Sequence, residues 1–450
     1  MSFSPDTIAA MATPLGTSAI ALVRASGPQA SALVAGIFGA TPPPRTVQHA
    51  DYRDGAGQLI DDVLFTFFAA PNSYTGEDVL EISCHGNPYI AQRILEDLVH
   101  RGCRPAEAGE FTKRAFLNGR LDLSQAEAVM DLIHARSERA LAAANQQLRG
   151  SLGRTMNGLS TLLIKVLANV EAYIDFPDED LPPEDRAAVL RDLETLRAGA
   201  NRLLVTIHYG ELLREGIRTV IVGEPNAGKS SLLNRLVGRE RALVSADPGT
   251  TRDYIEEVVA IGPHRLRLVD TAGLNTAPTA LELRGIEKTF EQAKAAHLFL
   301  WVIDSSGPPP RPSADLARLM APGRTLAVLN KSDLPRTRTH DIPAGVRRVE
   351  VSALTGEGID VLGDVIVEFA ESFRGETGDE IIAINARHAL SLERARGSLD
   401  AAVAKVNDGE SIELLASDLR EALDAIGEIA GKIDNEVVLD QLFASFCIGK

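Results

Sequence analysis

The stretch that decides the fold of this 450-residue chain is Gly223-Glu224-Pro225-Asn226-Ala227-Gly228-Lys229-Ser230-Ser231. An apolar run precedes it at 219–222, and an amphipathic run follows at 232–237. The order of strand, glycine loop and helix, with the spacing G-x-x-x-x-G-K-S, predicts a phosphate-binding loop. Loop N–H groups and the positive end of the helix would hold phosphate oxygens. Lys229 would reach the β- and γ-phosphates, and the Ser230 hydroxyl would bind Mg²⁺.

Two later segments carry groups suited to the γ-phosphate and its magnesium ion. In Gly249-Thr250-Thr251, the hydroxyl of Thr251 can complete the Mg²⁺ shell when γ-phosphate is present. The second segment, Asp270-Thr271-Ala272-Gly273, ends an apolar run. Asp270 is expected to hold a metal-bound water, and the N–H of Gly273 to contact the γ-phosphate. These segments predict a nucleoside triphosphate as the ligand.

The base is predicted from two further segments that each follow a strand-like run. In Asn330-Lys331-Ser332-Asp333, the carboxylate of Asp333 can accept both the N1–H and the exocyclic amine of guanine. Adenine offers no such pair of donors, which argues against an ATPase or a kinase. Ser352-Ala353-Leu354 can present a backbone N–H to the guanine oxygen. All five motifs in this order predict a guanine-nucleotide site.

The residue after the Asp270 motif bears on hydrolysis. Leu274 stands where many small GTPases carry a glutamine that orients water, and leucine cannot polarise water. The group that orients water must therefore lie elsewhere, and Glu282 and Glu287 follow closely downstream.

Two ways of stabilising the transition-state charge stay open at this point. One is an arginine, at Arg252 or Arg284. The other is a monovalent cation beside the phosphates. Its ligands would be the amide oxygen of Asn226 and backbone carbonyls of Ser245-Ala246-Asp247-Pro248-Gly249-Thr250.

Composition and charge limit the class of protein. The net charge of -16 argues against a strongly basic nucleic-acid-binding surface, although a local basic patch or RNA held jointly with a partner stays compatible. No apolar run is long enough for a membrane span, and the first residues do not resemble a signal peptide. Three widely spaced cysteines suit neither a disulfide framework nor a metal site. We expect a cytoplasmic protein.

The chain divides by pattern into four stretches. Residues 1–119 alternate strands and helices, 120–215 are helical apart from an acidic, proline-rich segment at 175–185, 216–375 alternate buried strands and helices around the phosphate loop, and 376–450 are helical again. The predicted fold class is multidomain, with α/β domains at 1–119 and 216–375. The second of these, a Ras-like P-loop domain, is predicted to be an insertion in an all-α domain.

The whole chain resembles the MnmE (TrmE) family of bacterial tRNA uridine-modification GTPases. Outside the nucleotide motifs, the resemblance is carried by six segments. They are Ala12-Thr13-Pro14, Gly76-Glu77-Asp78-Val79-Leu80-Glu81, Gly109-Glu110-Phe111-Thr112, the run 115–123 with Asn118-Gly119-Arg120-Leu121-Asp122, Asp175-Phe176-Pro177, and the ending Phe446-Cys447-Ile448-Gly449-Lys450. Cys447 in this ending is compatible with a packed side chain or with a reactive thiol.

The resemblance implies functional residues beyond the nucleotide motifs. A folate-binding-like N-terminal domain would form a homodimer and bind 5-formyl-tetrahydrofolate or a related one-carbon donor through Arg24, Glu81, Arg120 and Lys450. Arg120 occupies a place where some relatives have lysine, which keeps the charge but changes the geometry. Potassium would be held by Asn226, Ser245, Asp247 and Thr250, and Glu282 would orient the attacking water.

The resemblance also implies the overall reaction. Together with a partner that carries FAD, MnmG, such a protein would add an aminomethyl or carboxymethylaminomethyl group to C5 of the wobble uridine of tRNA. Two other classes remain: a GTP-dependent switch for ribosome or RNA assembly, and a folate enzyme that works without MnmG. The state of the wobble uridine in cells lacking the protein separates the first from the second.

Overall fold

The structure is a computed structural model that describes residues 6–175, 186–239, 256–270, 293–307, 314–335, 342–375, 380–408, 412–431, 442–444, 446 and 449. The chain divides into two compact units. The first comprises residues 1–130, 147–169 and 419–450, and the second comprises 131–146 and 170–418. Across the described residues, no helix has both the length and the apolar character that crossing a bilayer requires.

The first unit contains a six-stranded sheet. Its strands are β1 (Ile8–Met11), β2 (Ile20–Ser26), β3 (Val47–Arg53), β4 (Leu59–Phe68), β5 (Val79–His85) and β6 (Arg104–Pro105), with helices α1 (Ala30–Phe38), α2 (Pro88–His100) and α3 (Glu110–Leu117). The strand order is β3-β4-β5-β2-β1-β6, and only the β1–β6 pair is parallel. From the sequence we predict strands at 20–24, 63–68 and 79–83, a helix at 90–99 and the start of another at 109–116, which agree with β2, β4, β5, α2 and α3. β1 and β3 had no clear sequence signal.

The two faces of this sheet have different surroundings. Val63, Phe65 and Phe67 alternate along β4 and are buried in one hydrophobic cluster with residues of α1 and α2. Period-two alternation places the intervening residues on the other face. There Val47 and Leu64 are 64% and 46% exposed. One face is therefore a core, and the other presents apolar side chains at the surface.

A buried arginine organises the end of this unit near α3. The Arg114 side chain is 1% exposed and forms ion pairs with Asp6 at 2.8 Å, Glu110 at 2.9 Å and Glu77 at 3.2 Å. Arg104 also pairs with Asp6 and Glu110, at 2.7 and 2.6 Å. Burial raises the pKa of Glu110, but hydrogen bonds from Arg104 and Arg114 outweigh it, so the net pKa lies below the ordinary value. Buried charges are tolerated only when they are paired in this way.

Seven helices with described bounds lie outside the two sheet regions: α4 (Leu123–His134), α5 (Glu138–Leu148), α6 (Ser151–Asp175), α7 (Arg186–Leu204), α8 (Ile207–Glu215), and, late in the chain, Ala386–Asp408 and Ile412–Ala430. Residues 150–153 are a potential helix break by sequence. The break falls at their start, between α5 and α6, and Gly153 lies within α6.

The second unit contains the sheet that carries the phosphate loop. Its strands are β7 (Ile217–Gly223), β8 (Glu256–Ile261), β9 (His264–Asp270), β10 (Leu298–Asp304), β11 (Thr325–Asn330) and β12 (Arg347–Glu350), with helices α9 (Lys229–Arg239), α10 (Ala314–Leu319) and α11 (Ile359–Glu371). The order is β12-β11-β10-β7-β9-β8, and β8 alone runs antiparallel to its neighbour. Residues 298–303 of β10 and 326–329 of β11 are all apolar because both faces of these strands are buried. The carboxyl ends of β7, β9, β10 and β11 meet at one edge.

Glu371, at the end of α11, joins the second sheet to neighbouring helices of the same unit. Its Oε1 accepts hydrogen bonds from Arg139 Nε at 2.8 Å and from the Tyr209 hydroxyl at 3.3 Å, and it lies 2.8 Å from His264 Nε2. Burial is the largest influence on His264 and lowers its pKa. This cluster lies at the start of β9, at the opposite end of that strand from Asp270.

Candidate guanine-nucleotide site

The phosphate loop connects the end of β7 to the first residue of α9. Asn226 in this loop adopts a φ of 63°, a left-handed conformation that asparagine tolerates better than most side chains. Lys229 Nζ donates to the carbonyl oxygens of Gly223 and Glu224 at 2.8 and 2.9 Å. The lysine therefore folds back over the loop. Ser230 and Ser231 occupy the first turn of α9, where a helix favours anions.

Asn330 connects the phosphate loop to the segments predicted to hold the base. It is the last residue of β11 and is 2% exposed. Its Nδ2 donates to the carbonyl of Ala227 at 2.8 Å, and its Oδ1 accepts from the N–H of Ala353 at 3.0 Å. Gly228 adopts a φ of 96°, and a Cβ there would overlap the side-chain nitrogen of Asn330. The close approach of Asn330 explains the second glycine of the motif.

The remaining base-recognition residues lie in two turns at the same edge of the sheet. The N–H of Leu334 donates to the Lys331 carbonyl at 3.0 Å, and that of Ser332 donates to the Val351 carbonyl at 3.1 Å. Asp333 is the third residue of this turn and is exposed. The turn thus presents a carboxylate to solvent beside Asn330.

The Ser352-Ala353-Leu354 segment is tied to its surroundings by backbone bonds. The N–H of Ser352 donates to the Glu357 carbonyl at 2.9 Å, and that of Ala353 donates to Asn330. Among the hydrogen bonds of the described residues, none involves the N–H of Leu354, which is therefore the best placed of the three for a guanine oxygen. Arg235 Nη2 donates to the Leu354 carbonyl at 2.8 Å and supports the segment from α9.

Several predicted site residues lie outside the described part of the chain. Asp270 ends β9 beside Ile221, and only its backbone is described. Outside it entirely lie Ser245, Ala246, Asp247, Pro248, Gly249, Thr250, Thr251, Thr271, Ala272, Gly273, Leu274, Glu282, Cys447 and Lys450.

Three of the residues expected near a folate can be located in the first unit. Arg24 and Glu81 are partners across β2 and β5, with Arg24 Nε and Nη2 at 2.9 and 2.7 Å from Glu81 Oε1. The Arg24 guanidinium carbon lies 5.6 Å from the ring centroids of both Tyr74 and Phe111. Arg120 is exposed, and its methylenes lie beside Gly76.

Gly449 lies in the same region. Arg24 Nη1 lies 3.5 Å from the carbonyl oxygen of Gly449. Gly449 adopts a φ of 93°, and a Cβ there would overlap the carbonyl oxygen of Met11. The glycine of the ending is therefore required for close contact with the end of β1. Arg24 and Glu81 lie on the sheet face that carries Val47 and Leu64, and Gly449 contacts Arg24 there.

Known protein families and relatives match this chain over the regions described above. A family model described as GTP-binding protein TrmE N-terminus matches residues 7–120, and one described as MnmE helical domain matches residues 123–447. A protein of Opitutus terrae named tRNA modification GTPase MnmE is 58% identical over 447 residues, which is 99% of each chain. A protein of the same name from Akkermansia muciniphila is 45% identical over 449 residues, also 99% of each. The chain belongs to the MnmE family of tRNA modification GTPases.

Membership of the MnmE family confirms the resemblance seen in the sequence and the predicted multidomain fold class. Sequence reasoning missed the residues that position the MnmE-type motifs. Asp304, Arg235 and Arg114 belong to none of the nucleotide motifs, and each contacts a motif residue that is distant in the chain. These motif residues are Lys331, Leu354 and Glu77, respectively. For Asp304, the sequence does offer one indication of a functional role. It ends an apolar strand, and functional side chains often lie at the carboxyl ends of parallel strands.

Proposed function

We propose that this chain is a potassium-dependent GTP hydrolase that acts with MnmG and a tetrahydrofolate one-carbon donor. The pair would add an aminomethyl or carboxymethylaminomethyl group to C5 of the tRNA wobble uridine. The observation that carries this proposal is the full-length match to relatives named tRNA modification GTPase MnmE. The meeting of Arg24, Glu81 and Gly449 on one sheet face supports it independently.

The nucleotide half of the proposal assigns roles to the residues of the second unit. Asn330 holds the phosphate loop and the base segments in a fixed relation, so one guanine nucleotide can span them. Lys229 would move from the loop carbonyls to the β- and γ-phosphates. The Ser230 hydroxyl, at the first turn of α9, fits a magnesium ligand, with Thr251 as the second. Asp333 would read the base.

The hydrolytic step needs a water-orienting acid and a positive charge beside the phosphates. We assign the first role to Glu282. The second falls to potassium held by the side chain of Asn226 with backbone carbonyls of Ser245, Asp247 and Thr250. Asn226 is exposed at the tip of the loop, which suits an oxygen ligand for a cation at the phosphates.

The folate half of the proposal places the one-carbon donor beside Arg24. The Arg24 guanidinium could pair with the glutamate carboxylate of the folate or with a polar edge of its pterin ring. The ion pair with Glu81 fixes the orientation of this guanidinium. Arg120 and Lys450 would complete the site. Because the same face exposes Val47 and Leu64, we propose that it pairs with a second copy and forms the homodimer.

Domain limits and location complete the proposal. Residues 216–375 would be a TrmE-type G domain inserted between helical segments 120–215 and 376–450, which the single helical-domain match over 123–447 supports. Residues 1–119 would bind folate. The protein would act in the cytoplasm, where buried thiols such as those of Cys84 and Cys103 stay reduced, and FAD would reside on MnmG.

The cation assignment predicts a hydrolysis rate that depends on the monovalent ion. We expect GTP hydrolysis by the pure protein to be at least about tenfold faster in potassium than in sodium buffer. The positive charge of a bound potassium ion beside the transferred phosphate would lower the activation barrier of hydrolysis. Asn226→Ala should abolish most of the difference while GTP still binds. Asn234→Ala, an exposed asparagine on α9, is the matched control and should respond like wild type. Equal rates in both buffers would move the role to an arginine such as Arg252.

A further inference from the structure

Asp304 lies beside the base-recognition turn although it belongs to none of the nucleotide motifs. It is the last residue of β10, and its Cα partner on β11 is Asn330. Its Oδ2 accepts from Lys331 Nζ at 2.5 Å. Its Oδ1 accepts from the N–H and the hydroxyl of Ser306 at 2.9 and 2.7 Å. Both carboxylate oxygens therefore accept hydrogen bonds, one from Ser306 in the turn after β10 and the other from Lys331.

Lys331 needs such an anchor because its backbone is strained. It adopts a φ of 62°, a left-handed conformation that costs a residue with a Cβ about 1 kcal/mol or more. This conformation turns the chain after β11, so that the Leu334 N–H closes the turn on the Lys331 carbonyl. Asp333 is carried by this turn. Its position therefore depends on the conformation of Lys331.

The ion pair between Asp304 and Lys331 is partly shielded from solvent. The Asp304 and Lys331 side chains are 25% and 31% exposed, so solvent screens the pair less than a surface pair. Burial raises the pKa of Asp304, but the hydrogen bonds from Lys331 and Ser306 outweigh it, and the net pKa is lowered. Asp304 is thus a carboxylate at neutral pH and can hold the ammonium group.

We propose that Asp304 is a positioning residue for guanine recognition: it holds Lys331, and through it the 331–334 turn that presents Asp333 to the base. Asp304 itself does not touch the nucleotide. The inference rests on the proposed role of Asp333 in reading guanine. It makes the end of β10 a determinant of base specificity, although that strand carries none of the nucleotide motifs.

Calorimetric titration of the full chain with GDP and with IDP tests this proposal. IDP lacks the exocyclic amine, so the ratio of the two affinities reports how well Asp333 is placed. Asp304→Asn keeps an oxygen for Ser306 but replaces the acceptor of Lys331 by a donor. We expect Asp304→Asn to bind GDP about tenfold more weakly than wild type does. The affinity for IDP should fall by less, so the ratio of the two affinities becomes smaller. A purely structural defect would weaken both nucleotides equally.

A double-mutant cycle then shows whether Asp304 acts through Lys331. Lys331→Met should reproduce the loss, and Asp304→Asn in that background should add nothing further. Lys331 is partly exposed in a turn, so Lys331→Met provides a test even where Asp304→Asn fails to fold. Asp364→Asn, an exposed acid on α11, is the matched control and should bind like wild type.

Three outcomes separate the hypotheses. If Asp304→Asn or Lys331→Met keeps the wild-type preference for GDP over IDP, the positioning role is wrong. The proposal is also contradicted if GDP affinity falls about a hundredfold in the double variant, the product of two tenfold losses. Asp304 would then act independently of Lys331. If the wild-type chain itself does not distinguish GDP from IDP, the proposed role of Asp333 fails instead.

Discussion

Asp333→Asn is expected to exchange GTP for xanthosine triphosphate as the preferred ligand. In the proposed site the carboxylate of Asp333 would accept hydrogen bonds from two guanine donors, whereas an asparagine amide could accept only one and would turn its NH₂ toward the other. Losing a charged hydrogen bond and leaving a donor unpaired costs about 3 kcal/mol, or roughly 150-fold in Kd. Xanthine carries an oxygen where guanine carries the amine, so the new amide pairs with it.

The exchange is measured by titrating the wild-type and Asp333→Asn chains with both nucleotides. The exposed position of Asp333 in its turn makes a folding defect in the variant unexpected. Asp364→Asn serves again as the matched substitution outside the site. GTP affinity that is unchanged in Asp333→Asn would show that another group reads the base.

Arg114→Met is expected to destabilise the first unit by about 3 kcal/mol. Methionine fills a similar volume but leaves Asp6, Glu77 and Glu110 without the cation that neutralises them. Arg104 still pairs with two of the three, which limits the loss. Hydrogen exchange followed by mass spectrometry should show α3 amides exchanging roughly 100-fold faster.

The control for this variant is Arg53→Met, because Arg53 forms an exposed pair with Asp51 on β3. Such a surface pair contributes about 0–1 kcal/mol. Trp301 is the only tryptophan of the chain and lies in β10, so its fluorescence should not change in either variant. Equal exchange of α3 in Arg114→Met and wild type would show that the buried cluster does not stabilise this unit.

The effect of Arg114→Met should also depend on pH. The net pKa values of Asp6 and Glu110 are lowered below their ordinary values of 3.8 and 4.5. A carboxyl group whose pKa is lower in the folded than in the unfolded protein stabilises the fold at any pH above its unfolded-state pKa. This stabilisation is lost as the pH falls toward the folded-state pKa. The difference between Arg114→Met and wild type should therefore be constant near neutral pH and shrink below about pH 4.5.

Local sequence patterns predicted much of the fold because they are set by neighbours along the chain. The strand before Gly223 and the helix after Lys229 follow from hydrophobic periodicity and glycine spacing. β1 and β3 gave weaker signals. β1 is only four residues long, and β3 carries mostly polar, exposed side chains, so neither shows a clear apolar alternation.

Contacts between distant residues could not be predicted from pattern. The Asn330 side chain joins Ala227 and Ala353, and Asp304 meets Lys331, only because parallel strands end at the same edge. Sequence identified Asn330 and Lys331 as parts of a motif but not what they contact. The role of Gly449 likewise depends on β1, which is more than 400 residues away in the chain.

Mass spectrometry of tRNA nucleosides from cells that lack this chain tests the central claim most directly. We expect the aminomethyl and carboxymethylaminomethyl groups at the wobble uridine to be lost, and to return with the wild-type gene but not with Asp333→Asn. Arg53→Met should restore them as well as wild type does. Fully modified wobble uridine in the deletion strain, accompanied by a ribosome-assembly defect, would contradict the account and favour a GTP-dependent assembly switch.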